Sequence, residues 1–269
     1  MEFPQRQISA PELAPDYRVT DLAVRRCKFA LVIPVINEAG RLESQLARIQ
    51  ELPNRTHQVD VIVADGGSTD GSVDPALLAS LGVTTLLTKL APGRLSAQLR
   101  MAIHYALETG YEGVITIDGN GKDGVEAIPA FVDALDDGFD FVQGSRFIDG
   151  GSATNTPLSR LWAIRLIHAP ITSLGAHHRF TDTTNGFRGH SRKFLSDPGV
   201  QPLRDIFTSY ELLAYLPIAA GRLGFAVKEV PVSRAYPANE PTPTKIHGLS
   251  SYARLIAVLL DAARGKFFP

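Results

Sequence analysis

The sequence predicts an α/β protein with a mostly parallel, doubly wound central sheet flanked by helices. Three observations predict it. Short apolar runs alternate with amphipathic segments over roughly the first half of the chain, the signature of strand–helix–strand units. Runs such as Phe29 to Ile33 and Val59 to Ala64 are apolar almost throughout, as strands covered on both faces are. Three of the strands stop at polar loops, Asn37-Glu38, Asp65 to Asp70 and Asp118 to Asp123. In an open parallel sheet such ends share one edge, where ligands bind.

The first residues, Met1 to about Thr20, carry Pro4, Pro11 and Pro15 among polar residues and read as a loose arm. Phe29 to Ile33 is the first strand, closed by Pro34, which cannot donate to a central ladder. Asn37 is placed to cap a helix from about Ala39 to Leu52, striped by Leu42, Leu46 and Ile49. Val59 to Ala64 is the second strand, and Thr69-Asp70 reads as the cap of the helix after it. Val83 to Thr88 gives a third strand and Leu95 to Glu108 a helix. Val114 to Ile117 is a fourth strand, Val125 to Asp136 a helix, and Phe139 to Gln143 a fifth strand.

The second half has a different rhythm. Helices are expected over Pro157 to Leu174, near Ser191 to Leu195, over Ser209 to Ala220 and from Gly248 to Arg264. A strand from Phe225 to Val230 precedes a proline-rich loop, Ser233 to His247. With no clear linker or internal repeat, the chain reads as an arm (1–27), a single domain (28–247) and a C-terminal amphipathic helix (248–269).

Among 269 residues, 27 Lys and Arg nearly balance 28 Asp and Glu, so the global basic field of a nucleic-acid binder is absent. Cys27 stands alone, which excludes an internal disulfide and a cysteine-built zinc site and points to a reducing cytoplasm. No apolar run approaches the roughly 20 residues of a membrane span. Nor does the N-terminus show the basic-then-apolar pattern of a signal peptide. His177 and His178 are adjacent, so one helix face cannot present both to one ion, and a helix end suits them better.

Asp65 to Asp70 lacks the spacing of a Walker A lysine or a G-x-G-x-x-G turn. Taken together, the motifs resemble something else. Val32-Ile-Pro34-Val-Ile-Asn37-Glu38, Val63-Ala-Asp65-Gly-Gly-Ser-Thr-Asp70-Gly71 and Asp118-Gly-Asn120 are similar in order to the inverting family-2 glycosyltransferases of GT-A (Rossmann-like) fold. Gly144-Ser-Arg146, Asp182-Thr-Thr-Asn185-Gly-Phe-Arg188, Lys228-Glu-Val-Pro-Val232 and the Arg234-to-Lys245 segment resemble the dolichyl-phosphate mannose synthase-like branch. The resemblance spans about Phe29 to Lys245. It implies an N-terminal nucleotide half and a C-terminal acceptor half.

It also implies roles. Pro34, Asn37 and Glu38 would line the nucleotide pocket, Asp65 would read the base edge, and Gly93 and Arg94 would lie near the ribose-diphosphate. Asp118 and Asn120 stand at the D-x-D pair that holds Mg2+ or Mn2+ on the diphosphate, with Gly119 beside them. Arg146 and Asp182 join the substrate-binding set. Four positions depart from the pattern: Ile36 for an aromatic, Gly66 and Asn120 for acids, and Lys122 for a further metal ligand. Replacing oxygen ligands by an ammonium weakens divalent binding, so Lys122 is expected to help neutralise the diphosphate.

The acceptor sets the chemistry. A hydroxyl acceptor needs a general base, for which Glu211 is the candidate. A lipid phosphate is already anionic and needs cations, which Arg188, Arg234 and Lys245 would supply. The expectation is therefore a nucleotide-diphosphate sugar donor with a polyprenyl phosphate acceptor; a glycan hydroxyl acceptor, or a non-catalytic nucleotide-sugar binder, is the alternative. The last helix, ending at Phe267-Phe268, suits packing or a homodimer first and shallow membrane contact second.

Overall fold

A computed structural model describes residues 3–10, 12–52, 59–236 and 249–269. Strand–helix alternation appears in the predicted order: β3 (Phe29–Val35), α1 (Arg41–Gln50), β4 (Val59–Asp65), α2 (Pro75–Ser80), β5 (Thr85–Lys89), α3 (Leu95–Glu108), β6 (Gly113–Thr116), α4 (Ile128–Asp136) and β7 (Phe141–Ser145). Before them stand β1 (Gln5–Ala10) and β2 (Ala14–Asp21). After them come β8 (Ser152–Thr154), α5 (Leu158–Ala163), α6 (Ala169–Ala176), β9 (Arg188–Ser191), α7 (Arg192–Leu195), α8 (Glu211–Arg222), β10 (Val227–Pro231), β11 (Ser233–Ala235) and α9 (Leu249–Ala263).

The main sheet runs β1-β2-β5-β4-β3-β6-β9-β7-β10. Its centre, β5-β4-β3-β6, is parallel, as is the β7–β10 pair, while β9 inserts antiparallel between β6 and β7. Two apolar layers cover it. Leu42, Leu46 and Ile49 of α1, with Leu78 of α2 and Phe131 of α4, pack one face. Helices α3, α8 and α9 cover the other through residues such as Met101, Tyr215 and Leu259.

Three local expectations are corrected. The arm read as loose is a hairpin whose second strand buries Ala14, Tyr17 and Val19 and pairs antiparallel with β5. Asn37 does not cap α1, whose N-cap is Gly40. Its left-handed backbone (φ 53°) instead lets its N–H donate to Ser68 Oγ and its Oδ1 accept from Thr69 N–H. Asp70 likewise does not cap α2. That role belongs to Asp74, which accepts from Leu77 N–H, while Asp70 accepts from Ala39 N–H and Ser72. These crossed bonds sew the loops after β3 and β4 together. The predicted helix end at His177 is present: α6 closes there in the left-handed conformation.

Strand β9 carries His190 against Phe141 and Phe194, with Nδ1 on the Val114 carbonyl. Burial, reinforced by Arg188, pushes its imidazole down to about 3. An unfolded histidine titrates near 6.5. The unfolded chain therefore binds more protons between these values, and stability falls as pH is lowered through that window. From about pH 7 to about pH 5 the loss is about 2 kcal/mol, or roughly 4–8 °C in Tm. His190→Leu is expected to flatten that slope in melts across the pH series; an unchanged slope would contradict it.

Candidate functional site

The carboxyl ends of β3, β4 and β6 open on one cleft of about 1020 Å3. Its polar wall carries Pro34, Glu38, Gly66, Asp118, Gly119, Asn120 and Lys122, with Gly93, Arg94 and Gln98 from the start of α3. The opposite wall is apolar, built by Ala163, Ile164 and Ile167 between α5 and α6, Leu213 of α8, and Leu255, Ile256 and Leu259 of α9. Among the described residues, six cationic side chains line the cleft (Arg41, Arg94, Lys122, Arg146, Arg160, Arg234) against two carboxylates, Glu38 and Asp118. Such an excess of cations favours a polyanion.

Close approach explains the small residues. At Gly93 φ is +120° and an added Cβ would come within 2.5 Å of Ala97 Cβ. At Gly66, where the resemblance implies an acid, an added Cβ would meet Gln98 Nε2 at 2.8 Å. That amide donates to the Val35 and Ala64 carbonyls at 2.8 and 3.1 Å. At Gly119 an added Cβ would meet Val35 Cγ1 at 2.6 Å, so the loop after β6 lies directly on the end of β3.

The centre of the polar wall is an arginine between two aspartates. Arg234 Nη1 donates to Asp123 Oδ2 at 2.6 Å and Nη2 to Asp118 Oδ2 at 3.0 Å. Asp123 is fully buried, and among the described residues its Oδ1 has no hydrogen-bond partner. Burial pushes the Asp123 carboxyl up to about 6, with Arg234 opposing and Asp118 adding to the shift. The arrangement is held by backbone: Gly124 N–H donates to the Ser233 carbonyl and Ala235 N–H to that of Lys122.

Two residues on, Tyr236 is the hub of three cations. Arg160 Nη1 donates to its hydroxyl at 2.8 Å. Lys122 Nζ, Arg160 Cζ and Arg234 Cζ lie 5.2, 5.5 and 5.8 Å from its ring centroid. Burial raises the phenol, but Arg234 and Arg160 outweigh it and hold it below the ordinary tyrosine value. Burial, then repulsion from Arg234, lowers the Lys122 ammonium. Sequence reasoning missed Tyr236, Arg160 and Gln98. The signal for Tyr236 was available: it follows Arg234 at i+2, the spacing that shares a strand face.

Other predicted residues lie elsewhere. Arg188, expected to be a free phosphate clamp, is buried and donates to the carbonyls of Asn185, Leu213 and Thr183. It binds the loop before β9 to α8. Burial lowers its guanidinium to about 10. Asp182 is fully buried and grips Arg146 through two bonds of 2.6 and 3.0 Å, so it positions that arginine rather than facing the cleft. Glu211, expected as a base, is not on the cleft wall; its Oε2 accepts from Thr208 and Ser209 N–H at 3.0 and 2.6 Å. The carbonyls of those two residues in turn take Arg94 and Ser96 N–H at the start of α3. Asp65 is buried at the end of β4, accepting from Ser68 N–H, and Asn37 ties loops as described. Lys245 and His247 lie outside the described residues.

The Mg2+ or Mn2+ that the resemblance implies at Asp118 and Asn120 does not fit the residues present. Among the described residues no three His, Cys, Asp or Glu side chains come together to hold an ion. Asp118 is already bonded to Arg234, and the ammonium-bearing Lys122 stands two residues beyond Asn120.

A family model described as glycosyl transferase family 2 matches residues 30–197. The polyprenol monophosphomannose synthase of Mycolicibacterium smegmatis is 27% identical over 209 residues, covering 76% of this chain and 76% of that protein. The undecaprenyl-phosphate mannosyltransferase of Micrococcus luteus is 28% identical over 207 residues, covering 75% of this chain and 81% of that protein. Among solved structures, the glucosyl-3-phosphoglycerate synthase of Mycobacterium tuberculosis, in complex with Mg2+ and UDP, aligns with a TM-score of 0.61 at 21% identity, over 88% of this chain and 79% of that one. The fold is that of the GT-A glycosyltransferases.

Proposed function

We propose, for a chain that belongs to glycosyl transferase family 2, that it moves a sugar from a nucleoside diphosphate donor, with inversion, onto a polyprenyl phosphate. The observation that carries this reading is the two-sided cleft: a cation-rich sheet edge facing an apolar helical wall. A donor diphosphate and an acceptor phosphate share the first, and an isoprenoid chain suits the second. The names of the relatives, which act on polyprenol and undecaprenyl phosphates, support the same acceptor.

An acceptor phosphate oxygen is already anionic. It attacks the anomeric carbon from the face opposite the leaving group, and the bond from that carbon to the β-phosphate oxygen breaks. The electron pair leaves with the nucleoside diphosphate, and no proton moves. Lys122 neutralises the leaving group, and Asp118 faces the positive charge that develops at the anomeric carbon, as in other glycosyl transition states. A hydroxyl acceptor would require a free base, yet among the described residues the two carboxylates on the wall are bonded to Arg41 and Arg234.

The test is a panel of nucleotide sugars offered with a short-chain prenyl phosphate, a prenyl alcohol and free sugars, with products weighed by mass spectrometry. Product on the phosphate alone is expected; product on a hydroxyl alone would overturn the acceptor assignment. Glu211→Gln is expected to keep turnover within about tenfold, because Glu211 braces a loop. Removal of a true general base costs about 10²–10⁴-fold.

The exposed apolar surface supports contact with a bilayer through an element other than the last helix, whose end packs on the core as was expected first. Phe267 and Phe268 pack on Phe207 and Tyr215. Leu158, Trp162, Leu166 and Leu174 instead stand exposed at four-residue intervals or multiples of four along α5 and α6, beside the exposed Arg165. The π turn at Ile164–His168 is wider than an α turn and slows the drift of this stripe around the axis. No helix among the described residues is long and apolar enough to cross a membrane. A Trp162→Glu/Leu166→Glu variant is expected to lose most co-flotation with anionic vesicles while retaining turnover of a short-chain, water-soluble prenyl phosphate. Unchanged flotation would remove this face from consideration.

A further inference from the structure

We propose that Gln98 reads the nucleobase of the donor. Its side-chain carbonyl is a fixed acceptor that selects bases carrying a ring N–H, uracil or guanine, over cytosine and adenine. The proposal rests on the nucleotide-sugar reading of the cleft and concerns how that site chooses its nucleotide.

Gln98 stands in the first turn of α3, 6% exposed, and lines the cleft beside Val35, Gly66, Gly93 and Arg94. Its Nε2 lies between the ends of two strands. It donates to the Val35 carbonyl of β3 at 2.8 Å and to the Ala64 carbonyl of β4 at 3.1 Å. Both amide protons are thereby used. The same bonds fix which end of the amide is which, because a turned amide would set its oxygen against two carbonyl oxygens. Oε1 is the end left over: among the described residues no group donates to it, and it reaches the surface of the cleft. The turn that carries it is anchored as well, with Arg94 and Ser96 N–H on the Thr208 and Ser209 carbonyls. Gln98 therefore presents a preorganised acceptor and no donor.

Its position suits the base. The strands run β4-β3-β6 along the edge, so Gln98, astride β4 and β3, stands one to two strand spacings of about 4.8 Å from Asp118, just past β6. Arg146 follows β7, on the other side of Asp118. A nucleoside diphosphate laid along this edge with its phosphates by Asp118 brings its base over Gly66 and Gln98. Gly66 makes the floor: an added Cβ there would meet Gln98 Nε2 at 2.8 Å and Cδ at 3.0 Å. Asp65, which the resemblance implies for this task, is 2% exposed, off the cleft wall, and accepts from Ser68 N–H.

A base seated on Oε1 excludes water from it. Uracil and guanine supply a ring N–H in return. Cytosine and adenine hold a lone pair at the equivalent ring nitrogen and leave the carbonyl opposed and unpaired. A site built to bond a ligand N–H rejects analogues that lack it far more strongly than an apolar pocket does.

The experiment is titration calorimetry of UDP, GDP, CDP and ADP into the full chain in MgCl2. It is repeated with 3-methyl-UDP and 1-methyl-GDP, in which a methyl group replaces the ring N–H. UDP or GDP is expected to bind at least about tenfold more tightly than CDP and ADP, and the tighter of the two identifies the base. Its methylated form is expected to lose at least about tenfold. Gln98→Met keeps the length of the side chain without the acceptor, and should reduce that methylation penalty to within about threefold. Where Gln98→Met does not keep a wild-type melt, Gly66→Ala serves instead, since its methyl group pushes the end of the Gln98 side chain aside. No loss on methylation in the wild type, or an unchanged penalty in the folded variant, would overturn the proposal and leave the transferase reading standing. Binding of none of the four nucleotides would overturn both.

Discussion

Arg234→Gln is expected to unfold at a markedly lower temperature and to lose transfer at least about a hundredfold. The structural part follows from burial. Arg234 is 8% exposed and is bonded to both Asp123, at 0%, and Asp118. Removing one partner of a buried ion pair costs about 3–5 kcal/mol, because the remaining charge keeps its desolvation penalty. For a chain of this length that corresponds to roughly 6–20 °C in Tm. Neutralising the stranded partner separates structure from function. In Arg234→Gln/Asp123→Asn the fully buried carboxylate is neutralised and only the partly exposed Asp118 is left without its arginine, so at least half of the lost Tm should return while transfer stays low. Calorimetric melts of both single variants and the double variant, with initial rates on each, check this. A drop of less than about 2 °C in the single variant would mean that the pair is far more hydrated than its burial indicates.

Most of the fold was legible because the central strands and helices satisfy local and global demands together. Phe29 to Val35 and Val59 to Asp65 are apolar on both faces because helices cover both, and α3 begins and ends where its pattern does. The strands that were missed owe their existence to neighbours. Residues 188–191, Arg-Gly-His-Ser, have little strand propensity, yet they form β9 because β6 and β7 leave a gap for one antiparallel backbone. Gly189 fits there because an added Cβ would come within 3.2 Å of Val142 Cβ. The hairpin was hidden for a different reason. β1 is a largely exposed edge with no apolar alternation, and the buried residues of β2, Ala14, Tyr17, Val19 and Thr20, follow no strict alternation.

The site divides along a similar line. Residues set by the strand ends, such as Pro34, Glu38, Asp118 and Gly119, could be placed from the pattern alone because chain direction puts strand ends on one edge. Residues whose role depends on what packs beside them could not. Arg188 and Asp182 have the composition of ligand-binding groups but spend their hydrogen bonds on carbonyls and on Arg146. Arg160 reaches Tyr236 from a helix 76 residues away in sequence, a contact that no local spacing encodes.

Asp118→Asn is expected to lower turnover by about 10²–10³-fold, the usual cost of removing one preorganised electrostatic group. Stability should change little, since Asp118 is 28% exposed, the amide keeps the shape, and Asp123 still holds Arg234. The division between kcat and nucleotide affinity carries the information. Were Asp118 the anchor of a diphosphate-bound metal, its loss would weaken nucleotide binding along with turnover. In this structure its carboxylate is bonded to Arg234 and packs against Gly186, where an added Cβ would come within 2.4 Å of Oδ1. On the proposed transferase reading, Asp118 serves the reacting sugar rather than the nucleotide. UDP or GDP affinity in Asp118→Asn should therefore stay within about threefold of wild type while kcat collapses. A parallel loss of both would return Asp118 to the role of metal ligand.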